Sequence, residues 1–106
     1  MGDAAALLEA KAAATQDPYH VMSSWAAATQ PCGDGWEYYA SGWVGVVCDA
    51  RGGRVVYVFL DRAGVGGELL PFFGRLGALQ ALELFSNPAL RGDVADLASA
   101  DRKSVV

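Results

Sequence analysis

A self-match at a fixed interval constrains this chain of 106 residues more than any other feature. Three apolar positions recur 24 residues later (79 − 55 = 24 for the first pair): Val55, Val58 and Leu60 are matched by Leu79, Leu82 and Leu84. The match continues, with one extra residue near Pro88, as Val65, Gly67 and Leu69 against Leu90, Gly92 and Val94. A repeat of this length is typical of a solenoid, whose coils bury their apolar faces against one another.

Length and composition narrow the classes of function. The chain has the length of one domain, and its 12 acidic and 8 basic residues leave a net charge of −4 without a Lys/Arg cluster. Nucleic-acid binding needs a basic face, so we expect no nucleic-acid partner. No uncharged apolar stretch of about 18 residues or more occurs, so we expect no membrane contact by this segment. The N-terminus also lacks the pattern of a secretory signal peptide.

Local signals predict the elements that precede the repeat. A helix is predicted over residues 4–15, with Asp3 as its N-cap. The pair Asp17–Pro18 ends this helix and supplies the cap and first residue of a second, short helix over 19–25. A strand is predicted over 43–47, and a tight glycine turn then leads into the first repeat strand.

A series of short motifs stands before the repeat in a recognisable order. They are ALLEAK at 6–11, DP at 17–18, SSW at 23–25, PC at 31–32 and WVGVVCD at 43–49. In this order they resemble the N-terminal cap of plant-type leucine-rich-repeat proteins, and the two repeats resemble the 24-residue plant-type unit. The resemblance implies an α/β fold: the start of a leucine-rich-repeat solenoid, with a helical N-terminal cap followed by parallel β coils.

The resemblance also divides the chain. It places the N-terminal cap at 3–53, a first coil at 54–78 and a second, incomplete coil at 79–100. The sequence departs from the family pattern at Ala63, where an asparagine is expected, and at Pro71, which comes one place late. Because fewer than about three coils leave apolar surface uncovered, we expect Leu82 and Leu84 to have no coil beyond them.

The last six residues, 101–106, lose the repeat pattern. They are what a common sequencing-adapter sequence followed by a stop encodes, so we expect them to be non-native and the chain to be a fragment. The alternative is a functional ending, since Ser104 to Val106 matches the Ser-x-apolar carboxyl terminus that PDZ-type domains capture.

Two cysteines, Cys32 and Cys48, are the only ones in the chain. The resemblance implies a disulfide that pins the cap, although the insert between them makes their spacing wider than is usual in the family. Free buried thiols are the alternative in a cytosolic protein. A zinc site needs about four ligands, and His20 is the single histidine. We expect neither a metal nor another cofactor.

The alternation of side chains along a strand selects the candidate binding residues. With Val58 and Leu60 facing the core, the residues between them face outward on the concave side. Solenoids use this surface for binding. The candidates are Tyr57, Phe59, Asp61, Arg62, Glu83 and Phe85. The preference of aromatic residues for strands is an alternative reason for the two phenylalanines.

The insert between the cysteines holds further aromatic residues. Trp36, Tyr38 and Tyr39 form either a second binding loop, since exposed aromatic side chains are typical anchors, or a cover for the edge of the cap core. Trp25 and Trp43 are expected to have structural roles. The resemblance implies a structural role for Asn87 as well, as the residue that bonds the turn leaving each coil.

The resemblance implies a non-catalytic scaffold that binds a protein, peptide or glycan ligand on its concave face, with further coils C-terminally. No nucleophile, base or paired acid is placed to form a catalytic set. The chain would be the N-terminal part of an extracellular receptor-like or secreted protein, with a cytoplasmic location as the alternative. The same repeats would also suit the ectodomain of a receptor kinase whose enzyme lies downstream, or an inhibitor of cell-wall-degrading enzymes.

Overall fold

The computed structural model describes residues 2–32, 43–49 and 53–92, together with the backbone of residues 104–105. The helices and strands alternate in the order expected for a cap followed by coils. They are α1 (Asp3–Ala13), β1 (Val46–Cys48), β2 (Val55–Phe59), β3 (Gly67–Glu68), α2 (Leu70–Phe73), β4 (Ala81–Glu83), β5 (Leu90–Arg91) and β6 (Ser104–Val105).

The main sheet has four strands in the order β1-β2-β4-β6. Strand β1 runs antiparallel to β2, whereas β4 runs parallel to both β2 and β6. Tyr57 lies opposite Ala81, so the sheet register equals the 24-residue interval of the sequence (81 − 57 = 24). The predicted α/β fold, with a helical cap before parallel coils, is confirmed.

A second sheet forms where the chain leaves each coil. Strands β3 and β5 pair in parallel, with Gly67 opposite Leu90. The offset is 23 residues (90 − 67 = 23), two fewer than the sequence match of Gly67 to Gly92 suggests. The amide of Leu90 donates to the carbonyl oxygen of Asn87 at 3.0 Å and closes a turn. Because of this turn, the second coil joins the sheet two residues sooner than the sequence match suggests.

The core lies between the main sheet and the two helices. The apolar positions of the repeat supply one wall, and Val58, Leu60, Leu82 and Leu84 are all buried, as the alternation predicts. Residues of α1, of α2 and of the turns after α1 pack against this wall: Ala6, Leu7, Ala10, Met22, Trp25, Leu70 and Phe73. The cap therefore covers the apolar end of the first coil.

The first helix differs from its prediction at both ends. It begins at Asp3 and ends at Ala13, and Gly2 occupies the N-cap position. Asp3 does not cap the helix, because its carboxylate instead accepts the amide of Val55 at 2.8 Å and two bonds from the guanidinium of Arg54. Because these partners lie about fifty residues away in sequence, a local capping rule cannot predict them.

The predicted second helix over 19–25 is wrong, since the chain forms consecutive turns there. His20 has a φ of 55°, which interrupts helical geometry. The Asp17 carboxylate accepts the amides of Val21 and Met22, each at 3.0 Å. Asp17 thus satisfies amides as a cap does, but no helix continues beyond them.

The predicted strand over 43–47 begins later, at Val46, and ends at Cys48. Gly45 delays it because its φ is +80°, a conformation that side chains rarely adopt. The close approach of the next strand also requires glycine, since a Cβ atom there would lie 2.6 Å from the Phe59 carbonyl oxygen.

The outer edge of β4 does not end the sheet. Strand β6 lies beside it in parallel, with Ala81 opposite Ser104 and Leu82 opposite Val105. We expected no coil beyond Leu82, and the structure places this two-residue strand beside it. Among the described residues, no helix is long and apolar enough to cross a membrane.

Candidate ligand-binding face of the sheet

The outward side of β2 and β4, with the residues that follow each strand, is the candidate site and is called the aromatic face below. Its members are Tyr57, Phe59, Asp61, Ala81, Glu83 and Phe85. Phe59 lies opposite Glu83. The amide of Arg62 donates to the carbonyl oxygen of Phe85 at 3.1 Å, so parallel pairing continues past the strand ends and places Asp61 beside Phe85.

Apolar rings dominate the exposed surface of this face. Phe59 is 41% exposed and Phe85 is 46% exposed. The rings of Tyr57 and Phe59 contact each other, with their centroids 5.3 Å apart and their planes tilted by 36°. Exposed aromatic side chains of this kind are typical anchors of interaction surfaces.

Both coils leave this face through the same unusual backbone geometry. Arg62 has a φ of 53° and Ser86 a φ of 64°, and the two positions are one 24-residue interval apart (86 − 62 = 24). Left-handed geometry is uncommon outside glycine, so neither residue type signals it in the sequence. Arg62 is exposed, and the turn directs it away from the strict alternation of the strand.

Asn87 lies directly behind the aromatic face and is buried. Its side-chain oxygen accepts the amide of Val65 at 3.1 Å, and its nitrogen donates to the carbonyl oxygens of Leu60 at 2.7 Å and Leu84 at 2.8 Å. One side chain thus joins the exits of both coils. Ala63, its counterpart in the first coil, is buried but carries no polar group.

Two stacked tryptophans organise the cap. The rings of Trp25 and Trp43 lie 6.0 Å apart, with an interplanar angle of 16°. Each indole N–H is satisfied: Trp25 donates to the carbonyl oxygen of Val44 at 2.9 Å, and Trp43 to the hydroxyl of Thr29 at 2.8 Å. Buried indoles with both stacking and hydrogen bonds hold the cap in one arrangement.

The disulfide between Cys32 and Cys48 is present, with the two Cα atoms 5.7 Å apart. It ties the cap turn to the end of β1, and the prediction of a disulfide is confirmed. Within the part of the chain that the structure describes, no group of three or more His, Cys, Asp or Glu side chains could hold a metal ion. The aromatic insert residues Trp36, Tyr38 and Tyr39 lie outside the described residues.

An ion pair that the sequence does not suggest joins the cap to the first coil. Arg54 donates to Asp3 at 3.0 Å from Nε and 3.1 Å from Nη2. The hydrogen bond to Asp3 raises the pKa of Arg54, and the negative charge of Asp3 adds to the effect. A cleft of about 390 Å³ opens beside this pair. Arg75 on the same cleft pairs with Glu9 at 2.8 Å, so both arginines lining it already have acidic partners.

Comparison with known proteins identifies the class. Residues 2–49 match the family described as the leucine rich repeat N-terminal domain. Over 85 residues the chain is 33% identical to a probable LRR receptor-like serine/threonine-protein kinase of Arabidopsis thaliana, covering 80% of this chain and 8% of that protein.

Solved structures agree with this assignment. The structure of the Arabidopsis receptor kinase HAESA, in complex with the peptide hormone IDA and the co-receptor SERK1, matches with a TM-score of 0.60 and 31% identity, over 76% of this chain and 12% of that one. Two further matches at 23% identity show the shared fold. A plant ice-binding protein has a TM-score of 0.69, over 98% of this chain and 32% of that one. The PEPR1-AtPEP1 structure has a TM-score of 0.61, over 98% of this chain and 17% of that one.

Stacked coils with parallel strands, a buried asparagine at the coil exit and a disulfide-pinned cap together define a leucine-rich-repeat solenoid. This chain is a leucine-rich-repeat segment of the plant receptor-like type, and its first part is the N-terminal leucine-rich-repeat domain. It spans 8% of the length of the Arabidopsis receptor-like kinase that it matches.

Proposed function

We propose that this segment is the non-catalytic, ligand-binding beginning of an extracellular receptor-like protein, and that the aromatic face contacts a peptide or protein ligand. The observation that carries the proposal is the exposure of Phe59 on β2 and of Phe85, two residues beyond the neighbouring strand β4, on the same side of the sheet. Large aromatic side chains are the residues that most often anchor protein interfaces.

The energy available from these two rings is sufficient for recognition. Phe59 is 41% exposed, and a phenylalanine side chain presents roughly 200 Å², so about 80 Å² remains to be covered. At about 25 cal/mol per Å² this burial contributes about 2 kcal/mol. Phe85 is 46% exposed and contributes a similar amount. Both rings stand on paired backbone, so a ligand orders little of the protein when it binds.

The relatives support the kind of partner. HAESA is a receptor kinase whose structure contains a peptide hormone and a co-receptor, which favours a peptide or protein over a glycan as the ligand here. The disulfide of the cap suits an oxidising compartment, which favours extracellular placement. A kinase domain elsewhere in the full-length protein belongs to the same proposal, and a full-length transcript encoding a transmembrane run and a kinase signature would establish it.

Selection from a random dodecapeptide display library tests the proposed face. We expect the immobilised chain to enrich a set of related peptides, and the double substitution Phe59→Ala with Phe85→Ala to abolish that enrichment. Tyr19→Ala is the matched control, because Tyr19 is 71% exposed, more than any other large hydrophobic residue that the structure describes, and lies on the cap.

The comparison between the two variants decides the result. Equal enrichment by wild type and the double variant would show that peptides bind elsewhere. Loss of enrichment with Tyr19→Ala alone would move the site to the cap. Circular dichroism of each variant establishes that the fold is retained.

A further inference from the structure

We infer that the aromatic face recognises an arginine side chain of its peptide ligand; this inference rests on the proposed function and adds the chemistry of the ligand. The face is not uniformly apolar. Two acidic residues, Asp61 and Glu83, stand among the exposed rings, and both are partly exposed. Acidic and aromatic groups together are the surroundings that a planar cation prefers.

The sheet register arranges these four side chains as a checkerboard. Phe59 lies opposite Glu83, and the continued pairing places Asp61 opposite Phe85. Along each strand, residues two apart share a face, so Phe59 is followed by Asp61 and Glu83 is followed by Phe85. Each ring therefore has a carboxylate beside it along its own strand and another across the sheet, at about 5 to 7 Å.

One carboxylate oxygen on this face lacks a hydrogen-bond donor. Oδ1 of Asp61 is shielded from solvent and accepts no hydrogen bond from the described residues. A buried acceptor without a donor is unfavourable, and a cation beside this partly exposed carboxylate offsets part of that cost through its charge.

The described residues supply no ion-pair partner for the two carboxylates. The ion pairs seen among the described residues are Arg54 with Asp3 and Arg75 with Glu9, and both lie away from this face. Arg62 is exposed and forms no ion pair with Asp61 in the described structure. The net charge of −4 for the chain adds a weak attraction for basic peptides.

A guanidinium fits the checkerboard better than an ammonium does. It is planar and stacks on one ring with its face, while its edge donates two parallel hydrogen bonds to a neighbouring carboxylate. A lysine ammonium is a strongly hydrated point charge and makes only one of these interactions well. An acidic ligand side chain would meet two like charges. The expected ligand is thus a peptide in which an arginine is flanked by apolar residues.

The peptides selected on the wild-type chain, after subtraction against the Phe59→Ala, Phe85→Ala double variant, test this inference. We expect arginine to be enriched at one position of the selected set. The strongest binder is then synthesised with arginine and with citrulline, which keeps the shape and removes the charge. By fluorescence anisotropy, citrulline should weaken binding to the wild-type chain about 10-fold, through lost cation–π and charge-assisted contacts.

Charge-removing variants locate the effect on the protein. When Asp61→Asn and Glu83→Gln are combined, the affinities of the arginine and citrulline peptides should differ by less than about 2-fold. Glu68→Gln is the matched control, because Glu68 is exposed and lies on β3 in the other sheet, and it should retain the full difference. The circular dichroism spectra of these variants should be unchanged.

The outcomes separate the two proposals. Peptides that depend on Phe59 and Phe85 but are neutral or acidic would overturn the arginine inference and leave the binding face in place. An undiminished citrulline effect in the double charge variant would also overturn the inference. Failure to select any peptide that depends on the two phenylalanines would overturn both.

Discussion

Replacement of Asn87 by alanine should destabilise the fold severely, because this one side chain joins the two coils. The substitution removes an acceptor from the amide of Val65 and a donor from the carbonyl oxygens of Leu60 and Leu84. These partners belong to buried residues, so the orphaned groups gain little water in exchange.

The size of this destabilisation follows from three hydrogen bonds of Asn87, whose lengths are 2.7 to 3.1 Å. An unsatisfied buried group costs about 1 to 3 kcal/mol. Allowing for partial relaxation, we expect Asn87→Ala to lower the free energy of unfolding by about 3 to 5 kcal/mol. Domains of this size have total stabilities of about 5 to 15 kcal/mol, so the variant loses at least about a fifth of that total.

Urea denaturation followed by tryptophan fluorescence measures this loss, with the buried Trp25 and Trp43 as reporters. With an m-value of about 2 kcal/mol per M, the midpoint should fall by about 2 M. Gln80→Ala is the control, since Gln80 is exposed on the same coil, and its midpoint should stay near that of the wild type. A midpoint for Asn87→Ala within about 0.5 M of the wild type would refute the reasoning.

Asn87→Asp provides a sharper test of the donor role. The aspartate still accepts the Val65 amide, but it turns an acceptor oxygen toward the carbonyl oxygens of Leu60 and Leu84. We expect it to be at least as destabilising as alanine at pH 7. It should be milder near pH 4, because a protonated carboxyl donates one hydrogen bond. A destabilisation that does not change with pH would contradict this role.

Further perturbations test the cap and its junction with the coils. Reduction of the bond between Cys32 and Cys48, which are 16 residues apart, should lower stability by about 3 kcal/mol in the chain-entropy model; thermal melting that is insensitive to reductant would disprove this. Gly67→Ala should lower stability by more than about 2 kcal/mol, because φ is +116° and the new Cβ would lie 2.8 Å from a carbonyl oxygen of α1. Gly53→Ala, with φ +64° and open space around it, should cost only about 1 kcal/mol, and equal midpoints for the two glycine variants would contradict the steric explanation. Asp3→Ala should cost about 2 kcal/mol and speed hydrogen exchange at the start of β2, whereas unchanged exchange would show that Asp3 does not hold that strand.

The parts of the fold that repeat could be predicted from the sequence. Val58 and Leu60 in one coil and Leu82 in the next are buried as their alternation indicates, because a coil cannot cover its apolar residues except against its neighbour. The disulfide also followed from the resemblance to a known family. These features depend on patterns that are local, or that recur at a constant spacing.

Contacts between distant positions were not predictable in this way. The helical capping rule assigned Asp3 to the amides of its own helix, whereas the fold brings Arg54 and Val55 within reach of its carboxylate. The rule for helix initiation at Asp17 likewise failed, because His20 adopts left-handed geometry. Local propensities are weak compared with the burial and hydrogen bonds that the tertiary structure imposes.

By itself, the sequence determined the kind of protein: a capped solenoid whose 24-residue interval sets the register of the sheet and selects the outward residues. The tertiary structure decided how those residues stand to one another. It placed Phe59 across from Glu83 and Asp61 across from Phe85, and left one buried oxygen of Asp61 without a donor among the described residues. A period specifies which side chains face outward, but their neighbours across the sheet and their exposure exist only once the coils are packed together.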